Sequence, residues 1–154
     1  MKEKLKKQVI SKLNEDLNSL KKAAAETRSV SSDDENKQEG KYDTRSIEAS
    51  YLAEAQADQA TQIEESIFKL KNLILPEEPD TVILGSIAIL TDTEDHDLQF
   101  FLLPAGGGIS LKYENQPLMV ITPESPIGEK IIAKALLDNI EETPIGPVFI
   151  SEIY

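Results

Sequence analysis

The sequence predicts an α+β protein in which a long antiparallel coiled-coil hairpin precedes a small antiparallel sheet domain with one helix. Apolar residues recur every three or four positions over residues 5–24 and again over 47–74, which is the periodicity of amphipathic helices. After residue 79 the pattern changes to short β-branched apolar runs between turn-forming residues, which is typical of strands. Helices followed by a run of strands predict the α+β class.

The hairpin is predicted over residues 1–75, with two arms of similar length. Ser, Asp, Asn and Gly between the arms stop helices, so we place the tip at about residues 29–43. An arm of about 26 residues spans roughly 40 Å, more than a small domain can cover. A dimerising coiled coil would share this pattern. The apolar positions are Leu5, Val9, Leu13, Leu17, Leu20 and Ala24 in the first arm and Ile47, Tyr51, Leu52, Ile63, Ile67, Leu70 and Ile74 in the second.

The sheet domain is predicted over residues 80–154, after a short stiff linker at 76–79 that contains Pro76 and Pro79. Strands are predicted at residues 81–90, 98–103, 109–113, 118–121 and 148–151. One helix is expected to start with Ser125 as N-cap and Pro126 at the first helical position, and to run through Leu137. The glycines at 106–108 are interpreted as a hairpin turn.

The charge is uneven along the chain. Of the formal net charge of −12, residues 1–75 contribute −1 (13 Lys and Arg against 14 Asp and Glu) and residues 76–154 contribute −11 (3 against 14). A sheet domain with this much negative charge repels phosphates, so we do not expect it to bind DNA or RNA directly. A basic protein surface is the more favourable partner. The lysines at positions 2, 4, 6, 7 and 12 are expected to face the acidic domain.

The absence of cysteine excludes disulfides, thiolate metal sites and a cysteine nucleophile. The N-terminus is too charged for a signal peptide, and no apolar run reaches the roughly 18 residues of a membrane span. We therefore expect a cytoplasmic protein without a membrane partner.

Residues 85–90, Gly-Ser-Ile-Ala-Ile-Leu, and residues 121–134, Ile-Thr-Pro-Glu-Ser-Pro-Ile-Gly-Glu-Lys-Ile-Ile-Ala-Lys, followed by Asp138, resemble the C-terminal domain of the bacterial Gre transcript-cleavage factors. The order of hairpin and sheet domain is similar to that family over nearly the whole chain. The resemblance implies an FKBP-like sheet domain that docks at the secondary channel of bacterial RNA polymerase, with Ser125, Pro126 and Ile127 as contacts. It also implies an accessory factor, not an enzyme, that works as a monomer.

In cleaving members of that family, two carboxylates at the hairpin tip help to hold a Mg²⁺ ion in the polymerase active centre, so the factor binds no cofactor by itself. Carboxylate oxygens suit this hard cation. The tip differs here from the family motif Asp-x-x-Glu-Asn, because no acid between positions 31 and 50 is followed by another acid three residues later. The candidate tip carboxylates are Asp33, Asp34, Glu35, Glu39 and Asp43, with Asp33 and Asp34 proposed to share the metal and Tyr42 and Arg45 as further polymerase contacts.

Other functions stay open on the sequence alone. A solvated acidic tip would give a non-cleaving regulator that only occupies the channel, and a hairpin that pairs between chains would give a coiled-coil adaptor or dimer. A peptidyl-prolyl isomerase would need an aromatic-lined pocket, for which four Phe, four Tyr and no Trp offer little.

Overall fold

The computed structural model describes residues 1–35 and 44–154, with side chains described over 1–29, at Thr44 and over 47–154. Two long helices, α1 (Lys2–Glu35) and α2 (Thr44–Asn72), precede six strands and a one-turn helix, α3 (Gly128–Ile131). The predicted α+β class, a helical hairpin before a sheet domain, is confirmed. None of the helices in the described ranges has a stretch apolar and long enough to cross a membrane.

The sheet is mixed, with five pairings in the order β3-β4-β2-β1-β6-β5. Four pairings are antiparallel, but β2 and β4 run parallel, which a sequence of short strands does not reveal. The two-residue strand β5 was not predicted. The strands are β1 (Ile87–Asp92), β2 (Asp97–Leu102), β3 (Ser110–Tyr113), β4 (Gln116–Ile121), β5 (Asn139–Ile140) and β6 (Val148–Ile153).

Two connections differ from the sequence prediction. Residues 81–86 do not belong to β1; Thr81 forms an isolated bridge with Ala135, and Ser86 Oγ closes a turn by donating to the carbonyl of Ile83 at 2.7 Å. The glycines at 106–108 do not form a hairpin turn, because β4 lies between β2 and β3 in the sheet. They turn the chain instead, with positive φ at Gly106 and Gly108.

The helix predicted from Ser125 to Leu137 is wrong in its extent, because α3 covers only four residues. Pro126 precedes the helix, and Ile127 is its N-cap without a side-chain cap bond. The helix ends when Ile132 takes an extended ψ of 138° and Ala133 takes a φ of 62°. Ala133 N–H then donates to the carbonyl of Val82 at 2.8 Å, so pairing with a distant segment replaces the next helical turn.

The described chain separates into two compact units, one formed by residues 1–10 with 68–154 and the other by residues 11–67. The larger unit thus takes in the first helical turns as well as the sheet. One face of its sheet buries an apolar cluster that includes Leu90, Phe100, Leu102 and Ile150, with Ile131 of α3 packed into it. The opposite face is also buried at Ile87, Phe101 and Val120.

Lysines at the start of α1 bind the end of α2 within the same unit. Lys6, only 7% exposed, donates from Nζ to the carbonyl of Leu73 at 3.0 Å and pairs with Glu3 at 3.0 Å. Lys2 Nζ donates to the carbonyl of Pro76, and burial lowers the pKa of Lys2. These two lysines therefore hold the start of α1 against the segment that follows α2, through its backbone carbonyls.

The smaller unit, residues 11–67, is the antiparallel helical hairpin. Its seam runs through Leu13 and Leu17 on α1 and through mainly small, half-buried side chains on α2, and Lys21 pairs with Glu64 across it at 2.7 Å. Ile47, Tyr51 and Leu52, expected on the apolar stripe, are instead 51–68% exposed. The half-buried positions of α2 are Ala49, Ala53, Gln56, Ala60, Ile63 and Ser66. Residues 29–35, expected to break the helix, continue α1.

Candidate functional site

A tight corner joins β4 to α3, and its geometry depends on one serine and one glycine. Ser125 Oγ donates to the carbonyl of Thr122 at 2.7 Å and accepts the N–H of Gly128 at 3.0 Å. A β-carbon at Gly128 would overlap the carbonyl oxygen of Thr122 and lie 2.8 Å from Ser125 Oγ. Ser125 therefore stabilises the corner through local side-chain to backbone hydrogen bonds, as serine commonly does in turns. Pro126 is exposed at this corner, whereas Ile127 is half-buried and packs against the apolar cluster of the sheet.

An apolar cleft of about 440 Å³ opens beside the corner. Ser125, Pro126 and Ile127, the docking residues predicted for the sheet domain, are consecutive in the sequence and all line it. Met119, 47% exposed on β4, supplies its largest flexible side chain. None of its lining residues is aromatic or charged. The other lining residues are Gly107, Gly108, Val120, Ile121, Thr122 and Pro144.

Acidic side chains border the corner. Glu124 and Glu129 are exposed on either side of the lining residues 125–127, and Lys130 follows them. An apolar cleft with an acidic border suits a partner that offers an apolar side chain flanked by Lys or Arg.

Sequence reasoning missed Met119, Pro144 and the two glycines of this cleft. They come from β4, the loop before β6 and the connection after β2, and only the sheet order brings these segments together. No signal in the sequence marks Met119, because residues 118–121 are all apolar; its exposure between the buried Leu118 and Val120 is seen only in the structure.

A second cleft, also about 440 Å³, has a mixed polar and apolar lining and lies beside the β1–β2 turn. Its Asp92 carboxylate accepts the backbone N–H of Glu94 at 2.8 Å and of His96 at 2.9 Å. The bond from His96 N–H holds the pKa of Asp92 below its ordinary value. His96 Nδ1 lies 3.2 Å from the other carboxylate oxygen. Within residues 1–35 and 44–154 no cluster of His, Cys, Asp and Glu is arranged to hold a metal ion, so this carboxylate shapes a turn.

Two tyrosines and a glutamate meet where the chain returns to β1. Tyr154 pairs with Ile87 through two backbone bonds of 2.8 and 2.9 Å, and its ring lies 6.4 Å from that of Tyr113 in an edge-on arrangement. The Tyr154 hydroxyl donates to Glu152, and this bond is the main reason that the pKa of Tyr154 rises to about 12. Burial raises the pKa of Tyr113. Both phenols stay protonated at neutral pH and act as structural groups.

The predicted tip residues are only partly within the described structure. The backbone of Asp33, Asp34 and Glu35 belongs to the last turns of α1, and that of Arg45 to the first turn of α2. Glu39, Tyr42 and Asp43 lie outside the described residues. The assignment of tip carboxylates and tip contacts therefore stays a prediction.

Comparisons with known proteins found structural neighbours only, since no family model and no curated protein matches the chain. The chain is similar to Gfh1, the GreA factor homolog 1 of Thermus thermophilus, with 21% identity, a TM-score of 0.39 and coverage of 94% of both chains. A second structure of the transcription factor Gfh1 gives 20% identity and a TM-score of 0.41, over 94% of this chain and 92% of that one. Gfh1 of Thermus aquaticus gives 21% identity and a TM-score of 0.38, over 94% of this chain and 92% of that one.

These neighbours carry the Gre-type name that the sequence resemblance predicts. At such identities and TM-scores they add no argument about function. The functional assignment depends on the residues of this chain.

Proposed function

We propose that this chain is a Gre-type transcription factor that binds bacterial RNA polymerase through the acidic-bordered cleft at Met119 and residues 125–127. One observation carries the proposal: the stretch that resembles the Gre C-terminal domain forms one accessible apolar cleft in the part of the chain that holds 14 acidic against 3 basic residues. Charge complementarity with a basic polymerase rim would speed association and fix orientation.

In this proposal the hairpin enters the secondary channel and its tip modulates elongation or the cleavage of backtracked RNA. Hydrolysis belongs to the polymerase, whose Mg²⁺ would supply the activated water. The tip carboxylates Asp33 and Asp34 are of the donor type that this cation prefers. Their role would be to present oxygen ligands on a rigid stalk, and the chain would need no cofactor of its own.

A non-cleaving regulator is the second candidate. It is favoured by the absence of an Asp-x-x-Glu-Asn motif between positions 31 and 50, because the known metal-binding spacing is then missing. A prolyl isomerase is disfavoured because the apolar cleft contains no aromatic side chain. A coiled-coil dimer would need a surface between two chains, and light scattering separates it from a monomer.

The test is transcript cleavage by an artificially backtracked bacterial RNA polymerase with Mg²⁺, with and without the protein, and with a cleaving Gre factor as competitor. Shortened RNA that depends on the protein means a cleavage stimulator. Suppression of the competitor without shortening means a channel-occupying regulator. If the protein causes neither effect and does not bind the polymerase, the proposal is rejected.

Two variants separate docking from the action of the tip. Met119→Asp places a charge in the cleft and should abolish binding, whereas Gln116→Asp adds the same charge to the same strand outside the lining residues and should not. Asp33→Asn with Asp34→Asn should keep binding but change the transcriptional effect. Glu15→Gln with Asp16→Asn, at two adjacent exposed positions of α1, removes the same charge and is the matched control.

A further inference from the structure

The turn that follows α3 contains backbone strain, because a bulky apolar residue in it has a positive φ. Among the described residues, five non-glycine residues have positive φ. Asp95 and Asn115 are of the types that tolerate this region, and Glu114 shares a two-residue β3–β4 turn with Asn115. Leu137, with a φ of 67°, is a bulky apolar residue in the left-handed region, where such residues are rare and strained.

Backbone bonds on both sides hold Leu137 in that conformation. Its N–H donates to the carbonyl of Ile150 at 2.8 Å, and the N–H of Ile150 donates to the carbonyl of Asp138 at 3.1 Å. The Asp138 carboxylate accepts the N–H of Ala135 at 2.9 Å, which closes the preceding residues. The pairing with β6 thus requires a positive φ at position 137, and glycine would adopt it with less strain.

The fold gains little from the leucine side chain itself. Leu137 is 68% exposed, and its neighbours Leu136 and Ile132 are 52% and 38% exposed. A side chain that adds strain and buries little apolar area does not stabilise the chain that carries it. The exposed apolar residues of this segment, which we name the Leu137 turn (residues 132–138), therefore point to contact with another molecule.

The charge of the chain decides between possible occupants. The turn itself holds one base, Lys134, and one acid, Asp138, but it belongs to the half of the chain, residues 76–154, that holds 14 acidic and 3 basic residues, so a second copy of this half and an anionic membrane would both be repelled. A protein partner with an apolar recess bordered by Lys and Arg is favoured instead. The turn shares no lining residue with the cleft at Met119, so variants can test the two surfaces separately.

We propose that the Leu137 turn inserts into a basic-bordered apolar recess on RNA polymerase, as a second docking contact beside the cleft. This inference rests on the proposed function. In it, Leu137 fills the recess, and the pairing with β6 keeps its backbone fixed before binding, so only the side chain loses conformational freedom.

The test compares two variants, each with asparagine at one of the two positions of the turn that have a positive φ. Leu137→Asn removes the apolar side chain, while Ala133→Asn, at a φ of 62°, changes no large side chain. Asparagine tolerates positive φ, so both variants should unfold at a temperature about 2–4 °C higher than the wild type. Binding of the labelled full chain to bacterial core RNA polymerase should weaken at least about tenfold for Leu137→Asn only.

The outcomes separate this inference from the proposed function. Binding by the wild type and equally tight binding by Leu137→Asn overturns the inference and leaves the proposed function intact. No binding by the wild type overturns both. Self-association of the wild type that Leu137→Asn abolishes, measured by sedimentation, overturns the inference in favour of a second copy. Leu137→Gly, which also accepts positive φ, repeats the test if the asparagine variant folds poorly.

Discussion

At the scale of one residue, the structure explains why glycine occupies position 128, the last position of the Ser-Pro-Ile-Gly run. A methyl group there would overlap the backbone oxygen of Thr122, which cannot move without opening the β4–α3 corner. We expect Gly128→Ala to lower the free energy of unfolding by about 3 kcal/mol or more. Urea denaturation followed by circular dichroism measures this change.

The control for Gly128→Ala is Gly108→Ala. A β-carbon at Gly108 would meet nothing within 4 Å, but the φ of 86° is unfavourable for alanine. That variant should lose only about 1–2 kcal/mol from backbone strain. Equal losses for the two variants would show that the corner is not closely packed.

The Tyr154–Glu152 contact predicts an effect of pH. The hydrogen bond to Glu152 raises the Tyr154 pKa from 10.0 to about 12, so the folded state binds this proton more tightly than the unfolded state. Its contribution to stability is therefore complete below pH 10 and is lost as the pH rises through about 12. Glu152→Gln removes the charge and should bring the Tyr154 pKa down towards 10.0.

Ultraviolet absorbance of tyrosinate over alkaline pH follows this titration, and the spectrum of Tyr154→Phe identifies the step that belongs to Tyr154. A pKa that stays near 12 in Glu152→Gln would mean that burial, and not the glutamate, causes the shift.

Among the elements, the junction of α1 with the end of α2 depends on Lys6. Its ammonium group satisfies the carbonyl of Leu73 and pairs with Glu3 at a nearly buried position. Lys6→Met keeps the apolar stem but removes the donor, and should lower the free energy of unfolding by about 1–3 kcal/mol. Thermal and urea unfolding give the value.

Lys7→Met is the matched change at the adjacent exposed position, where a surface substitution should alter stability by no more than about 0.5 kcal/mol. If the two variants were equally stable, water would replace the lysine at the carbonyl without loss.

The elements that local patterns determine could be predicted from the sequence. The strands β2, β3, β4 and β6 follow their alternating or β-branched runs closely. The extent of α3 could not be predicted, because its end is determined by bonds from Ala133 to Val82 and from Leu137 to Ile150, residues far away in the sequence. The positive φ of Leu137 has the same tertiary origin.

The candidate site could also be predicted only in part from the sequence. A family motif identified Ser125, Pro126 and Ile127, and the structure gathers them in one cleft. Met119 and Pro144 complete that cleft through sheet topology, which no local pattern encodes. In the hairpin, the large side chains of Ile47 and Tyr51 suggested the wrong stripe, because small residues such as Ala53 and Ala60 permit close helix approach along the other face.

For the whole molecule, the two compact units are consistent with the proposed division between docking and the action of the tip. The unit that contains the sheet carries the cleft and the Leu137 turn, whereas residues 11–67 form a hairpin whose seam repeats every three or four residues. The hairpin can therefore be shortened without changing either its seam or its tip sequence.

Deleting residues 14–20 together with 61–67 removes one heptad from each arm and keeps the seam spacing of four and three. The hairpin becomes shorter by about 10 Å, since each helical residue rises about 1.5 Å. If the tip acts at a fixed depth in the polymerase, this variant should bind with unchanged affinity but lose its effect on backtracked transcripts. Circular dichroism controls for helix content, and polymerase binding controls for docking. A full effect from the shortened hairpin would mean that channel occupancy, and not the position of the tip carboxylates, produces the activity.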